Sequence, residues 1–286
     1  MGKRIKIGMG QLLVEGGEPG RNLDRAEKMI ADASHAHCDI ILLPEVLDLG
    51  WTHPSALAEA QPIPGPWSDR LCESAKREKI FVCAGLTEKA GQKQYNAAIL
   101  IQTDGKIILK YHKVNTLAVE HPFYEVGQHL SVIDTSFGKI GVNICADNYM
   151  DGLPIGHALA RMGAQLILSP SSWTVDYAVD ETQDPYKEKW IKPYSILAKL
   201  YDLVMVGATS VGYIVGGPYE GKKMVGCSLA VDKNGIIAQG KFNEFAGELI
   251  MAEAEIPERP EKGTAIGEML KKKGYSPEWT LPQSKR

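Results

Sequence analysis

Several absences narrow what this chain can be. Its five cysteines, at positions 38, 72, 83, 145 and 227, form no C-x-x-C pair and leave an odd count. That argues against a disulfide framework or a zinc ribbon and favours a reducing compartment. No apolar run approaches the ~18 to 20 residues of a membrane span. The start, Met1-Gly2-Lys3-Arg4-Ile5-Lys6-Ile7-Gly8, runs into an alternating strand without the apolar h-region of a signal peptide, so a soluble cytoplasmic protein is expected. No G-x-G-x-x-G or G-x-x-x-x-G-K-Ser/Thr follows a strand, which removes the main support for a dinucleotide or P-loop site. Charge of one sign is also lacking: 32 Lys and Arg stand against 35 Asp and Glu, a net of -3. There is no electrostatic footprint for nucleic acid, and a small neutral or modestly charged ligand is the expected partner.

With 286 residues, 44% of them hydrophobic, the chain can bury a full core. No Pro/Gly/Ser linker divides it, so residues 1–286 read as one domain, with 257–286 as a Lys-, Glu- and Pro-rich tail suited to wrapping a surface or a partner. Ile5, Ile7 and Met9 begin a strand, and Asn22 is placed to cap a helix carrying Leu23, Ala26, Ile30 and Ala33 on one face. Ile40 to Leu43 is a continuous apolar run, as in a strand buried on both faces, and Pro44 stops it. A helix through Trp67, Leu71 and Ala75 leads to a strand at 80–85. Two hairpins follow, 95–101 with 106–111 and 130–134 with 139–144, separated by a loop at 112–128. The unit of helix, strand and proline that ends at Glu45 is echoed at Gly163 to Trp173, which suggests two related halves. Strands outnumber helices, and the expected architecture is an α/β layered sheet core, mainly antiparallel.

Chemistry concentrates at strand ends. Ile140, Val142 and Ile144 alternate with Lys139, Gly141 and Asn143, the period of a half-buried strand, and the strand delivers Cys145 to its C-terminal end, where α/β proteins collect reacting groups. Packing alone would also explain a lone cysteine. A nucleophilic cysteine needs help, because a thiol of ordinary pKa, about 8.5, is only a few per cent ionised at neutral pH. Glu45, just past a buried strand, could serve as general base. Lys113, just past the strand ending at His112, could stabilise a thiolate and an oxyanion. Taken singly, Glu45 could be a solvated turn carboxylate and Lys113 a surface charge. His112, His121 and His157 read as structural or solvent-facing, and Cys38, Cys72, Cys83 and Cys227 as packing.

Leu42-Leu43-Pro44-Glu45, then Tyr111-His112-Lys113, then Gly141-Val142-Asn143-Ile144-Cys145-Ala146-Asp147 with Gly163 to Trp173, resembles the nitrilase or carbon-nitrogen hydrolase superfamily in type and order. The resemblance implies a four-layer α-β-β-α sandwich, no metal or organic cofactor, and a Glu-Lys-Cys triad on Glu45, Lys113 and Cys145. It also implies a second glutamate after the lysine, matched by Glu120, and dimers formed through the helix layers with the tail on the neighbouring subunit. The implied reaction is hydrolysis of a non-peptide C–N bond in a small linear amide or N-carbamoyl compound through a thioester, with the oxyanion held by Lys113 and the Ala146 N–H. A nitrilase passing through a thioimidate and a non-catalytic binding protein are the rivals. Ala146, Tyr149 and Trp173 are the candidate substrate-binding residues. Family members often carry an aromatic residue where Ala146 stands, so the pocket is expected to be reshaped. The segment 174–192 sets Tyr177, Tyr186 and Trp190 beside Asp176, Asp180, Glu181 and Asp184, which fits either a mouth for a cationic substrate or, slightly better, a solvated loop.

Overall fold

Apolar runs too long for one buried face form the middle of two sheets. In the first, β1 (Lys3–Gln11), β2 (Ile40–Leu42) and β3 (Phe81–Ala90) run parallel. β4 (Lys93–Ile101) and β5 (Ile107–His112) extend it antiparallel on one side, and β15 (Glu248–Ile256) closes the other. The second sheet has β7 (Gly138–Val142), β8 (Leu166–Ser171) and β10 (Val204–Thr209) parallel in its middle. There β13 (Leu229–Asp232) and β14 (Gly235–Gln239) form one antiparallel flank and β6 (Val132–Thr135) the other. A small third sheet joins β9 (Thr174–Val175), β12 (Lys223–Val225) and β11 (Val211–Tyr213). These elements belong to a computed structural model, which describes residues 2–183, 187–259 and 261–275.

Each parallel crossover carries a helix, as parallel strands require. They are α1 (Pro19–His35) and α3 (Pro66–Glu78) on the first sheet, with the short α2 (Ala56–Glu59) before α3, and α4 (Leu153–Arg161) and α5 (Lys192–Tyr201) on the second. Alternate side chains divide the work. Ile7, Met9, Ile40, Leu42 and Leu100 join the core shared with the second sheet. Ile41, Leu43, Ile99 and Ile101 instead meet Leu23, Ala26 and Ile30 of α1 and Leu71 and Ala75 of α3. Burying each such aliphatic side chain is worth roughly 1.5 to 3 kcal/mol. The result is the expected four-layer α-β-β-α sandwich.

Several expectations need correction. Antiparallel pairing does predominate, but it holds the sheet flanks, and both centres are parallel. The strand expected at 80–85 continues to Ala90 and pairs with β4. Helix α1 starts at Pro19, so Asn22 is no cap; it lies buried within the helix and donates to the Glu15 and Asp48 carbonyls. The strand β7 is not half-buried, because Gly141 is covered too: a Cβ there would lie 3.2 Å from that of Ala164 and 3.5 Å from that of Leu159 in α4. The loop 112–128 contains a 3-10 turn at Ala118–Glu120. Helix α6 (Thr264–Lys272) buries Ile266 and Leu270 on its own chain, and Lys273 donates to the Lys199 and Leu200 carbonyls. Residues 276–286 fall outside the described residues.

Candidate active site

The C-terminal ends of β2, β5 and β7 converge between the sheets. Glu45 is placed by its backbone. The Gly85 N–H donates to the Pro44 carbonyl and the Leu47 N–H to the Gly85 carbonyl, both at 3.0 Å. A Cβ on Gly85 would stand 2.5 Å from the Glu45 Cα, so only glycine admits this turn. Val46 follows with φ +44°, a left-handed conformation costly for a β-branched residue. From the other sheet, the Ser171 carbonyl accepts from the Glu45 N–H and the Ser172 hydroxyl donates to the Glu45 carbonyl, each at 3.3 Å.

Lys113, immediately after β5, is 1% exposed. Its ammonium donates to Glu45 Oε1 at 2.8 Å and to Glu120 Oε1 and Oε2 at 3.0 and 2.9 Å. The 3-10 turn aims Glu120, whose Oε2 accepts from the Leu117 N–H at 2.7 Å and whose Oε1 accepts from Trp51 Nε1 at 2.8 Å. The Asn96 amide donates to Glu45 Oε1 at 2.7 Å and to Glu120 Oε1 at 3.1 Å, tying the carboxylates together.

One cation between two buried carboxylates drives their proton affinities apart. Burial, reinforced by the Glu120 charge, raises the Glu45 pKa against the pull of Lys113. Burial acts on Glu120 in the same sense, but Lys113, the Leu117 N–H and Trp51 together outweigh it and hold that carboxyl below its ordinary range. Burial also works against the charge of Lys113, and the two carboxylates overcome it, so the ammonium is firmly protonated. Glu45 is the member suited to accept a proton. Its Oε2 is buried with no hydrogen-bond partner among the described residues, a costly state for a carboxylate oxygen unless it has a task.

Cys145 follows β7 at φ +44°. Its N–H donates to Ser169 Oγ at 3.2 Å, and its Sγ lies 4.0 Å from the Ser172 carbonyl. Burial, with the nearby Glu45 charge, raises the thiol pKa well above the usual value despite Lys113, so the resting thiol is protonated and requires a base. Asp147 braces the turn: its carboxylate accepts from the Ile144 and Asn115 N–H groups at 2.9 and 2.8 Å and from the Tyr111 hydroxyl at 2.7 Å. No protein acceptor is found for the Ala146 N–H among the described residues, which leaves it available to an oxyanion.

The structure therefore brings Glu45, Lys113, Glu120 and Cys145 into one buried cluster. Ala146 adjoins it. Trp173 is buried and stacked on Trp190 with ring centroids 4.4 Å apart, and Tyr149 meets Trp190 edge-on at 5.0 Å. The other four cysteines carry free thiols, three of them buried and Cys72 partly so. His157 bonds the Tyr201 hydroxyl and His112 bonds Glu88, while His121 is exposed. Asp184 and Tyr186 lie outside the described residues. Sequence reasoning missed Asn96 and Trp51. The signal for Asn96 was a polar residue inside the apolar strand Tyr95 to Ile101; nothing local marked Trp51. Among the described residues no group of three or more His, Cys, Asp and Glu is arranged to hold a metal, and no helix is long and apolar enough to cross a membrane.

The sequence profile of the carbon-nitrogen hydrolase family matches residues 7–258. A nitrilase of Pyrococcus abyssi is 32% identical over 179 residues, 61% of this chain and 67% of that protein. A chloroplastic omega-amidase of Arabidopsis thaliana is 29% identical over 187 residues, 60% of this chain and 50% of its own length. The matched stretches thus span half to about two thirds of these relatives. The crystal structure of an amidase from Nesterenkonia sp. superposes with a TM-score of 0.75 at 20% identity, covering 91% of this chain and 95% of that one. A mutant of the amidase from Nesterenkonia sp. AN1, in which the acetamide moiety of fluoroacetamide is covalently added at its active-site cysteine, superposes equally well, at 0.75 and 19% identity over 93% of this chain and 92% of that one. By the extent of the profile match, this chain belongs to the carbon-nitrogen hydrolase family.

Proposed function

We propose that the chain is a cysteine-dependent hydrolase that cleaves the C–N bond of a small linear amide or N-carbamoyl compound. The observation that carries this reading is the unpartnered Glu45 Oε2 in a buried Glu45–Lys113–Glu120 network beside a protonated Cys145 thiol. Glu45 Oε2 takes the thiol proton as Sγ attacks the carbonyl carbon. Lys113 and the Ala146 N–H hold the developing oxyanion. The proton passes to the leaving nitrogen, ammonia or an amine departs, and a thioester remains on Cys145. Glu45 then draws a proton from water, which attacks the thioester to release the carboxylate and the free thiol. Glu120 keeps Lys113 charged and positioned throughout.

The nitrilase relative supports a second reading on the same residues. A nitrile would give a thioimidate and consume two waters. Ammonia release by the purified protein from a panel of aliphatic amides, N-carbamoyl amines, N-carbamoyl amino acids and nitriles separates the two. Turnover of amides or carbamoyl compounds, absent in Cys145→Ala, supports the first reading, and turnover of nitriles alone supports the second. Silence on the whole panel together with an alkylation-resistant Cys145 would mean a non-catalytic binding protein. A homodimer in the cytoplasm completes the proposal. Its support is the exposed Met150 and Met162 flanking α4 and the free thiols, and sedimentation of the full chain tests the assembly.

A further inference from the structure

A hairpin that belongs to neither large sheet packs into the apolar shell of the carboxylate network. Its strands β11 and β12 are joined by residues 214–222, where Gly216 and Gly217 both take φ +78°. The Ile214 N–H donates to the Lys222 carbonyl at 2.9 Å and the Gly221 N–H to the Ile214 carbonyl at 3.1 Å, so the turn is a closed unit. It is pressed against the turn that carries Trp51. A Cβ on Gly217 would lie 2.5 Å from the Thr52 carbonyl oxygen, an approach open to glycine alone. From this hairpin Ile214, Tyr219 and Met224 join Val46, Trp51 and Leu117 in one apolar cluster. Val46 follows Glu45, and Trp51 and Leu117 both donate to Glu120.

The Tyr219 and Trp51 rings meet edge to face, with centroids 5.1 Å apart and planes at 72°. Trp51 is buried; its Nε1 ends on Glu120 Oε1, and its ring lies 6.0 Å from the Lys113 ammonium. Tyr219 is held in turn by Lys222, whose ammonium lies 4.7 Å from the tyrosine centroid and pairs with Asp176, just past β9, at 2.6 Å. That ion pair is solvent-exposed and contributes little. The ring contact is therefore the part of the hairpin that bears on Trp51.

We propose that Tyr219 is a positioning residue: its contact with Trp51 keeps the indole N–H on Glu120, and so keeps Glu120 aimed at Lys113 during turnover. An edge-to-face aromatic pair restrains the ring it touches, and a rotated indole would cost Glu120 one of its charge-assisted donors. The role in turnover rests on the hydrolase reading above. The coupling of hairpin to network does not.

Two measurements on the full chain test it. The first is hydrogen exchange of the Trp51 indole N–H, one of five tryptophan signals, identified by its loss in Trp51→Phe. It should be protected in wild type and in Tyr219→Phe, and should exchange about tenfold faster or more in Tyr219→Ala. The second is ammonia release from the best amide of the panel. Tyr219→Ala should lower kcat about fivefold with KM little changed, and Tyr219→Phe, which keeps the ring, should retain most of the wild-type rate. In a Trp51→Phe background, where the hydrogen bond is already gone, Tyr219→Ala should cost less than about 1.5-fold further. An indole proton equally protected in Tyr219→Ala, a kcat loss of full size in the Trp51→Phe background, or an effect confined to KM overturns the proposal. Absence of wild-type turnover on every panel compound defeats the hydrolase reading and the turnover role with it, whereas the exchange measurement still decides the coupling.

Discussion

The two halves of the molecule share a plan and divide the chemistry. In order across each sheet, β15-β1-β2-β3-β4-β5 and β6-β7-β8-β10-β13-β14 show the same sequence of pairings: one antiparallel, two parallel, two antiparallel. Both thread the parallel strands through two helices. In the proposed reaction the first half supplies the acid–base network of Glu45, Lys113 and Glu120, and the second supplies Cys145. Each also holds a non-glycine residue at positive φ in the candidate site, Val46 beside Glu45 and Cys145 itself. Such conformations cost of order 1–3 kcal/mol each and persist where the surroundings over-determine them. Two similar sheets face to face bring two sets of strand ends together, and neither set suffices alone.

Removing either half's reacting group should have the largest effect. Cys145→Ala, Lys113→Ala and Glu45→Gln should each reduce kcat/KM by about 10³-fold or more, with circular dichroism unchanged, since the groups act as a unit. Gly85→Ala perturbs the first half without touching a reacting atom. The added methyl collides with the Glu45 backbone, and turnover should fall ~10²-fold with the Cys145 alkylation site intact. Asn96→Ala frees both carboxylates of their shared donor, and a loss of about tenfold to 10²-fold in kcat, with little change in KM, would mark it as a positioning residue. Trp51→Phe should be milder, since it removes one of several hydrogen bonds to Glu120, which keeps Lys113, Asn96 and the Leu117 N–H, and kcat should drop about fivefold, the scale of ~1 kcal/mol.

The smallest effect concerns stability. Asp48, on the same loop as Glu45, is fully buried, accepts from the Leu49 and Thr87 N–H groups and the Thr87 hydroxyl, and is pushed up by burial to about 7. The folded state therefore keeps this proton in a range where the unfolded chain releases it. The contribution is full below the unfolded pKa, about 4, and is lost as pH rises through about 7. Urea unfolding between pH 5 and 8 should show stability falling by up to about 1.4 kcal/mol per pH unit from this group, and Asp48→Asn should flatten that slope.

Much of this comparison was legible in the sequence. Proline after a continuous apolar strand marked the presentation of Glu45, and the echo at Gly163 to Trp173 correctly suggested two halves. The parallel centres were not legible, because a doubly buried strand looks alike in either direction. Asn22 misled because a polar residue near a helix start usually caps it; here it serves the loop through two carbonyls. Asn96 and Trp51 reach the site from residues distant in sequence, so only the folded sheet reveals what they bind. The acidic residues of 174–192 were visible, but the local engagement of Asp176 and Asp180 was not.

The central claim is that a base from one half and a nucleophile from the other serve one chemical event. A double-mutant cycle tests it most directly, comparing ammonia release from the best amide by wild type, Glu45→Gln, Cys145→Ala and the double variant. The account predicts that the double variant is no slower than Cys145→Ala alone, the non-additivity of residues acting together. Losses that add, or turnover near wild type in either single variant, would contradict it.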